Sequence, residues 1–215
     1  MLLFIVDGMG DSAITIARNY AVGAAGRLTM DRLPPDRRLH HLRAAGGRPS
    51  LPDYVTDSAA SGTGHKTSNG RISTTAGTDA DLPTILELAQ AGGYRTGDVS
   101  TAGLTDATPA VLAAHVAARS CQGPADMASC PQDKKSAGGP GSIAEQQVDH
   151  HVDVILGGGG QRFDQTIDGG PDAGRTVTES AARHGYQVVT DAAGLAGAGA
   201  TPLLGLFSAG NMSLE

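Results

Sequence analysis

Three short clusters bring together side chains able to do chemistry. Asp7 follows the apolar run Leu2-Leu3-Phe4-Ile5-Val6 and precedes Gly8-Met9-Gly10-Asp11. Ligands of open α/β sheets bind outside the carboxyl ends of the strands, so an acid there, loosened by glycines, is placed for a metal or a substrate. The alternative is a turn Asp capping the next helix, which suits Asp11 better than Asp7. In the second cluster Ser58 lies within Tyr54-Val55-Thr56-Asp57-Ser58-Ala59-Ala60-Ser61-Gly62-Thr63. Small neighbours let a helix start approach an anion and aim its free N–H groups at it. Such a serine is either an activated nucleophile or an ordinary N-cap.

The third cluster is Asp106-Ala107-Thr108-Pro109, with Arg119 further along. Asp106 and Thr108 supply hard oxygen donors of the kind Mg2+ prefers, and Arg119 offers a planar fork for two phosphate oxygens. Each also has a plain structural role, Thr108 as a cap, Asp106 as a dipole partner and Arg119 as a cation at a helix end. Cys121 and Cys130 flank a polar stretch that reads as a surface loop, a spacing compatible with a short clip. His65 reads as a loop histidine and His115, on the apolar side of its helix, as a satisfied core residue.

The elements that must position these groups alternate as βα units. Leu2 to Val6 reads as a fully buried parallel strand. Helices are expected over Asp11 to Ala25, over Pro83 to Ala91 with Gly92-Gly93 as the stop, and from Thr108-Pro109 to about Arg119 with Thr108 as N-cap. A further helix covers Ser142 to Asp149, where Ser142 and Glu145 form a capping box, and another Thr176 to His184. Strands are expected over Tyr94 to Ser100, Val152 to Leu156, Gln187 to Thr190 and Pro202 to Phe207. No repeat or linker interrupts the pattern, which reads as one compact unit.

Composition agrees with that layering. Among 215 residues there are 31 glycines, no Trp and only 3% aromatics, so the core must come from small aliphatic side chains and many backbone positions must be tight turns. A formal net charge of −6 argues against a nucleic-acid partner, because binding that backbone requires clustered Lys and Arg. No apolar run reaches the roughly 18 to 20 residues that span a bilayer.

Taken together, these residues resemble the alkaline phosphatase family. Val55 to Thr63 is similar, position by position, to that family's nucleophile signature, and Phe4 to Asp11 to its first strand and metal-binding Asp. Thr84-Ile85-Leu86-Glu87, Val99-Ser100-Thr101-Ala102, Asp106 to Ala110, His115-Val116, Arg119 with Cys121, Leu156 to Gly159 and Leu203 to Phe207 agree in the same order. The resemblance implies a three-layer α/β/α sandwich around a mostly parallel sheet. It also implies a metal-dependent hydrolase of small phosphate monoesters, working through a phosphoserine at Ser58 with Arg119 holding two phosphate oxygens. Two zinc ions and one magnesium are the implied cofactors. Ser58 would lie on one zinc, Asp7 would bridge that zinc and the magnesium, Thr108 would bind the magnesium, and Asp106 would support it through water. A Cys121–Cys130 disulfide, export to the periplasm or the medium, and a homodimer are implied in the same way.

Two departures accompany the resemblance. The stretch between the nucleophile signature and Lys66-Thr67-Ser68-Asn69-Gly70 is shorter than usual by roughly one helical turn of 3.6 residues. The family's remaining metal ligands, an Asp-x-x-x-His group, an Asp-His pair, a further His and a Glu, come from a part of the chain beyond Glu215. Asp149-His150-His151 and the pair Asp36 and His40 imitate those spacings in other segments and read as solvated polar surface. The 215 residues are therefore expected to be the N-terminal portion of the catalytic domain, with the strand at Met1 and the stop after Phe207 as cut edges. Little or no activity is expected of this portion alone. The alternative is a non-catalytic remnant or assembly-dependent half that binds phosphate or Mg2+ weakly.

Overall fold

The computed structural model describes residues 2–5, 11–32, 62–199 and 201–213. Its contacts group the chain into two compact units, Met1–Leu42 and Arg43–Glu215. In the first, helix α1 spans Asp11–Val22 and a 3-10 turn covers Thr29–Arg32. The guanidinium of Arg18 grips Asp31 through two hydrogen bonds of 2.9 and 2.8 Å, holding that carboxyl down to about 2. Leu2 to Ile5 form no strand, and Leu2 and Phe4 are 84% and 82% exposed, which corrects the expectation of a buried first strand. An apolar run becomes a strand only where a neighbour accepts its backbone groups, and no described residue of its own unit does so.

The second unit contains helices α2 (Ile85–Ala91), α3 (Ala107–Ala113), α4 (Ile143–Asp149), α5 (Gly160–Phe163), α6 (Val177–Arg183) and α7 (Ala192–Gly197). Its strands are β1 (Gly97–Gly103), β2 (Val154–Gly158), β3 (Gln187–Val189) and β4 (Leu203–Leu206). They form a parallel sheet in the order β1-β2-β4-β3. This is the α/β class the sequence implies. Three helices start on capping boxes, Thr84 with Glu87, Ser142 with Glu145 and Thr176 with Glu179, each satisfying backbone donors left open by the first turn.

The first helix, expected to Ala25, ends at Val22, and the strand expected over Tyr94 to Ser100 lies over Gly97–Gly103. Three further differences have local reasons. Asp106, not Thr108, caps α3, because its carboxylate reaches the Ala107 N–H at 2.9 Å. That helix stops at Ala113, well short of Arg119: Ala114 turns extended, and Val116 exchanges two backbone hydrogen bonds with Ile72. The stretch between the cysteines is 3-10 helix over Pro124–Ser129, with Pro124 and Met127 buried, instead of a surface loop. Cys121 and Cys130 are joined and fully buried.

The core has two parts. Leu104, Val148, Ile155, Phe163, Val177 and Leu204 pack between the sheet and its helices. Ile72, Val111, Val116, Met127 and Ile143 surround the disulfide. On the other face of β1, Val99 is 71% exposed, so among the described residues no layer covers that face there. No described helix is long and apolar enough to cross a membrane.

Candidate functional site

The site is built where β1 ends. Leu104 N–H donates to the Gly158 carbonyl at 3.0 Å and Gly103 N–H to Asn211 Oδ1 at 2.8 Å, which ties the carboxyl ends of β1 and β2 to the segment after β4. The chain then turns tightly, Asp106 N–H donating to the Gly103 carbonyl at 2.8 Å, and enters α3. Asp106 therefore stands at the helix start with a half-exposed carboxylate, and Thr108 follows within the first turn, partly buried. Both positions place oxygen donors at the carboxyl edge of a parallel sheet.

Arg119 reaches the same corner by a separate route. After α3 the chain runs back along Ile72, and the Arg119 N–H donates to the Gly70 carbonyl at 2.6 Å. Two residues later the disulfide and the bond from Ile143 N–H to the Cys121 carbonyl anchor the strand of chain. The Arg119 guanidinium donates through Nη2 to Asp106 Oδ1 at 2.6 Å, with the two side chains 39% and 36% exposed. One edge of the guanidinium is thereby fixed against the helix start. A charged group tethered this way loses less freedom when it takes up an anion.

Asp106, Thr108 and Arg119 thus meet in one corner. Asp7 and Ser58 lie outside the described residues. At Gly62, four residues after Ser58, a Cβ would stand 3.0 Å from the Val111 carbonyl. Glycine there lets the backbone at position 62 lie directly against α3.

His65 is an exposed loop residue, as expected. His115 is 7% exposed and bonded at both ring nitrogens, Nδ1 to the Ser73 carbonyl at 2.9 Å and Nε2 to Glu87 Oε1 at 2.8 Å. Burial opposes the charge on Glu87, but the hydrogen bonds from His115 and the Thr84 N–H prevail and hold its carboxyl down to about 2. Burial likewise opposes the charge on His115, and the bonds to Glu87 and Ser73 prevail and raise its pKa. His150, expected on solvated surface, is instead 30% exposed beside Glu87, its Nδ1 3.7 Å from Oε1 and its ring 5.9 Å from that of His115. Burial lowers its pKa. Residues 87, 115 and 150 come from three separate helix ends, and no local spacing links them. Asp36 and His40 lie outside the described residues.

A parallel sheet whose strand-end turn carries an acid and a hydroxyl, with a guanidinium from a separate segment bonded to the acid, defines an α/β protein with a polar corner at its carboxyl edge. The chain belongs to the alkaline phosphatase family, whose model matches residues 1–215. It is 55% identical to the streptomycin-6-phosphate phosphatase of Streptomyces griseus over 214 residues, covering 97% of this chain and 47% of that protein. It is 49% identical to the alkaline phosphatase of Escherichia coli K12 over 228 residues, covering 100% of this chain and 47% of that protein. Among solved structures, the cold-active alkaline phosphatase of a psychrophilic Shewanella superposes with a TM-score of 0.65 at 27% identity, covering 96% of this chain and 45% of the other. The chain spans about half the length of the curated relatives it matches.

Proposed function

We propose that the chain is the N-terminal portion of a metal-dependent phosphate monoester hydrolase acting through a phosphoserine at Ser58. The observation that carries this reading is the family match over residues 1–215. In the first half-reaction the Ser58 Oγ attacks phosphorus, the bond to the alcohol oxygen breaks, and the alcohol leaves. Water then attacks the same phosphorus, releasing inorganic phosphate and restoring the serine. Arg119, held by Asp106, grips two phosphate oxygens and keeps the phosphorus in line with the nucleophile.

The donor chemistry of the corner fits a hard cation. Asp106 and Thr108 offer oxygen at the start of α3, the kind of partner that suits Mg2+, with Asp106 acting through water. Asp7 would help to hold the magnesium and a zinc, and Ser58 would help to hold a zinc. Bound cations of this kind lower the serine pKa and stabilise the charge on the attacking and leaving oxygens. Asp7, Ser58 and Thr108 are too few groups to hold two zincs, so this portion alone has little or no turnover.

The alcohol part of the substrate is left largely to solvent. The relative named for streptomycin 6-phosphate makes a phosphorylated aminoglycoside the natural second substrate to assay beside an aryl phosphate. The buried disulfide supports export to an oxidising compartment, periplasmic or secreted. A homodimer is the expected assembly.

The test is a protein that continues past Glu215 with the remaining ligands. There Ser58→Ala is expected to abolish the burst of alcohol release and nearly all turnover, and normal turnover would refute the mechanism. Zinc-dependent hydrolysis of an aryl phosphate by the 215-residue chain would refute its assignment as an inactive portion. A true stop codon after Glu215 favours the second reading, a non-catalytic half that binds phosphate or Mg2+ weakly, which the 47% coverage of the relatives keeps in play.

A further inference from the structure

Glu87, His115 and His150 present ligand atoms that all lie within 4.8 Å of one another. We propose that they form a binding site for a zinc-class divalent transition ion, separate in sequence and position from the Asp106–Thr108 corner. Seven residues of α3, about 10 Å of helix at 1.5 Å per residue, lie between that corner at its start and His115 just beyond its end.

The tautomer of His115 points to a cation. Its Nδ1 faces the Ser73 carbonyl at 2.9 Å, which only accepts, so Nδ1 carries the hydrogen. Nε2 of the neutral ring then turns a lone pair toward the carboxylate of Glu87 at 2.8 Å. Two acceptors at that distance need a positive centre between them, either a proton or a metal ion. A ring whose second nitrogen donates to a carbonyl is the usual arrangement of a metal-bound histidine. His150 adds the third donor. Its Nδ1 lies 3.7 Å from Glu87 Oε1 and is buried without a hydrogen-bond partner among the described residues.

Each member is held from behind. Glu87 Oε2 accepts the Thr84 N–H at 2.8 Å, leaving Oε1 for the centre. Gln146 clamps the backbone of His115, accepting from its N–H at 2.8 Å and donating to its carbonyl at 3.0 Å. Gln90, one turn after Glu87 on the same face of α2, donates to the His150 carbonyl at 3.0 Å. Ser73 holds a left-handed φ of 45°, its hydroxyl bonded to the Val111 carbonyl at 2.7 Å, and this aims its carbonyl at the ring.

Two imidazoles and one carboxylate suit zinc better than magnesium or calcium, and the partial exposure of Glu87 and His150 leaves a fourth position for water. Tetrahedral zinc with bonds near 2.0 Å sets its donors about 3.4 Å apart. The Glu87 carboxylate and the His115 ring must therefore part by roughly half an ångström, and His150 must close on Glu87 by about 0.3 Å and on the His115 nitrogen, within 4.8 Å of it, by up to about 1.4 Å, movements that side-chain rotation of Glu87 and His150 supplies. A bound ion joins the C-terminal ends of α3 and α4 to the first turn of α2.

The test uses the metal-free 215-residue chain and Zn2+ alone, with competition against a chromophoric chelator and ring 15N spectra of the histidines. One equivalent is expected to bind, shifting His115 Nε2 and His150 Nδ1. His150→Gln should weaken that equivalent by about tenfold or more, whereas Asp106→Asn with Thr108→Ala should leave it unchanged. Helical circular dichroism of His150→Gln matched to the parent excludes unfolding as the cause. If His150→Gln does unfold, the ring spectra of the parent decide alone. No zinc uptake, unmoved ring resonances, or a folded His150→Gln chain binding as tightly as the parent would overturn the site.

Discussion

Asp98 should make the protein less stable as the pH rises, and removing its charge should reverse this. It lies on β1 in register with Ile155, which pairs with Leu204, which in turn pairs with Val188. Cross-strand partners share a face, so the acid stands at the end of an aliphatic row turned into the core. It is 8% exposed, and its Oδ2 has no partner among the described residues. Burial alone pushes its carboxyl up from 3.8 to about 7.

The sign follows from where the proton sits. Below 3.8 both folded and unfolded chains hold it and the acid costs nothing. Between 3.8 and about 7 the unfolded chain releases it while the folded chain retains it, so stability falls throughout this window. Above 7 the penalty is complete and flat. At about 1.4 kcal/mol per pH unit, the full penalty is about 4 kcal/mol, an upper figure because local opening admits water. The assay is urea unfolding of the parent and of Asp98→Asn at several pH values. The amide is nearly isosteric, so any packing or hydrogen-bonding change is a constant offset, and the pH-dependent difference isolates the charge. The variant should gain on the parent by about 2 to 4 kcal/mol between about pH 4 and pH 8.5. A difference that does not change with pH would show that Asp98 is hydrated, and the reasoning fails.

Two further outcomes concern the frame around the site. Gln146→Leu keeps the volume but strands the His115 N–H and the carbonyls of His115 and Gly141, all bonded to Gln146 in the buried interior. At about 1 to 3 kcal/mol for each orphaned group, the loss should reach roughly 3 kcal/mol in urea unfolding; less than 1 would mean that water replaces the amide. Replacing both Cys121 and Cys130 by Ala opens a loop of sequence separation 9. This should lower stability by about 3 kcal/mol and loosen the chain that carries Arg119; an unchanged melting temperature would refute that anchoring role.

Most of the scaffold was legible because its signals are local. Ser142 with Glu145, and Thr176 with the helix behind it, mark helix starts through a side chain reaching its own backbone three residues on. The apolar runs at Val154, Gln187 and Leu203 are three of the four parallel strands, and the fourth, expected over Tyr94 to Ser100, lies over Gly97–Gly103. The first run, Leu2 to Ile5, carries the same signal and is exposed, because strand formation depends on a pairing partner that the run itself does not encode. Thr108 looked like the cap of α3, yet Asp106 holds that place, since a cap is decided by which oxygen reaches an open N–H in the folded turn.

By itself, the sequence determined the family, the α/β class, and the acid, hydroxyl and guanidinium at positions 106, 108 and 119, since these are encoded by residue type and short spacing. Only the tertiary structure decided that Arg119 is tethered to Asp106, that Asp98 sits at the end of an aliphatic row, and that His150 faces Glu87 and His115. Each depends on segments far apart in the chain, and their meeting is set by sheet register and by where helices stop. The free energy of burying a charge or holding an ion is defined only once that packing exists.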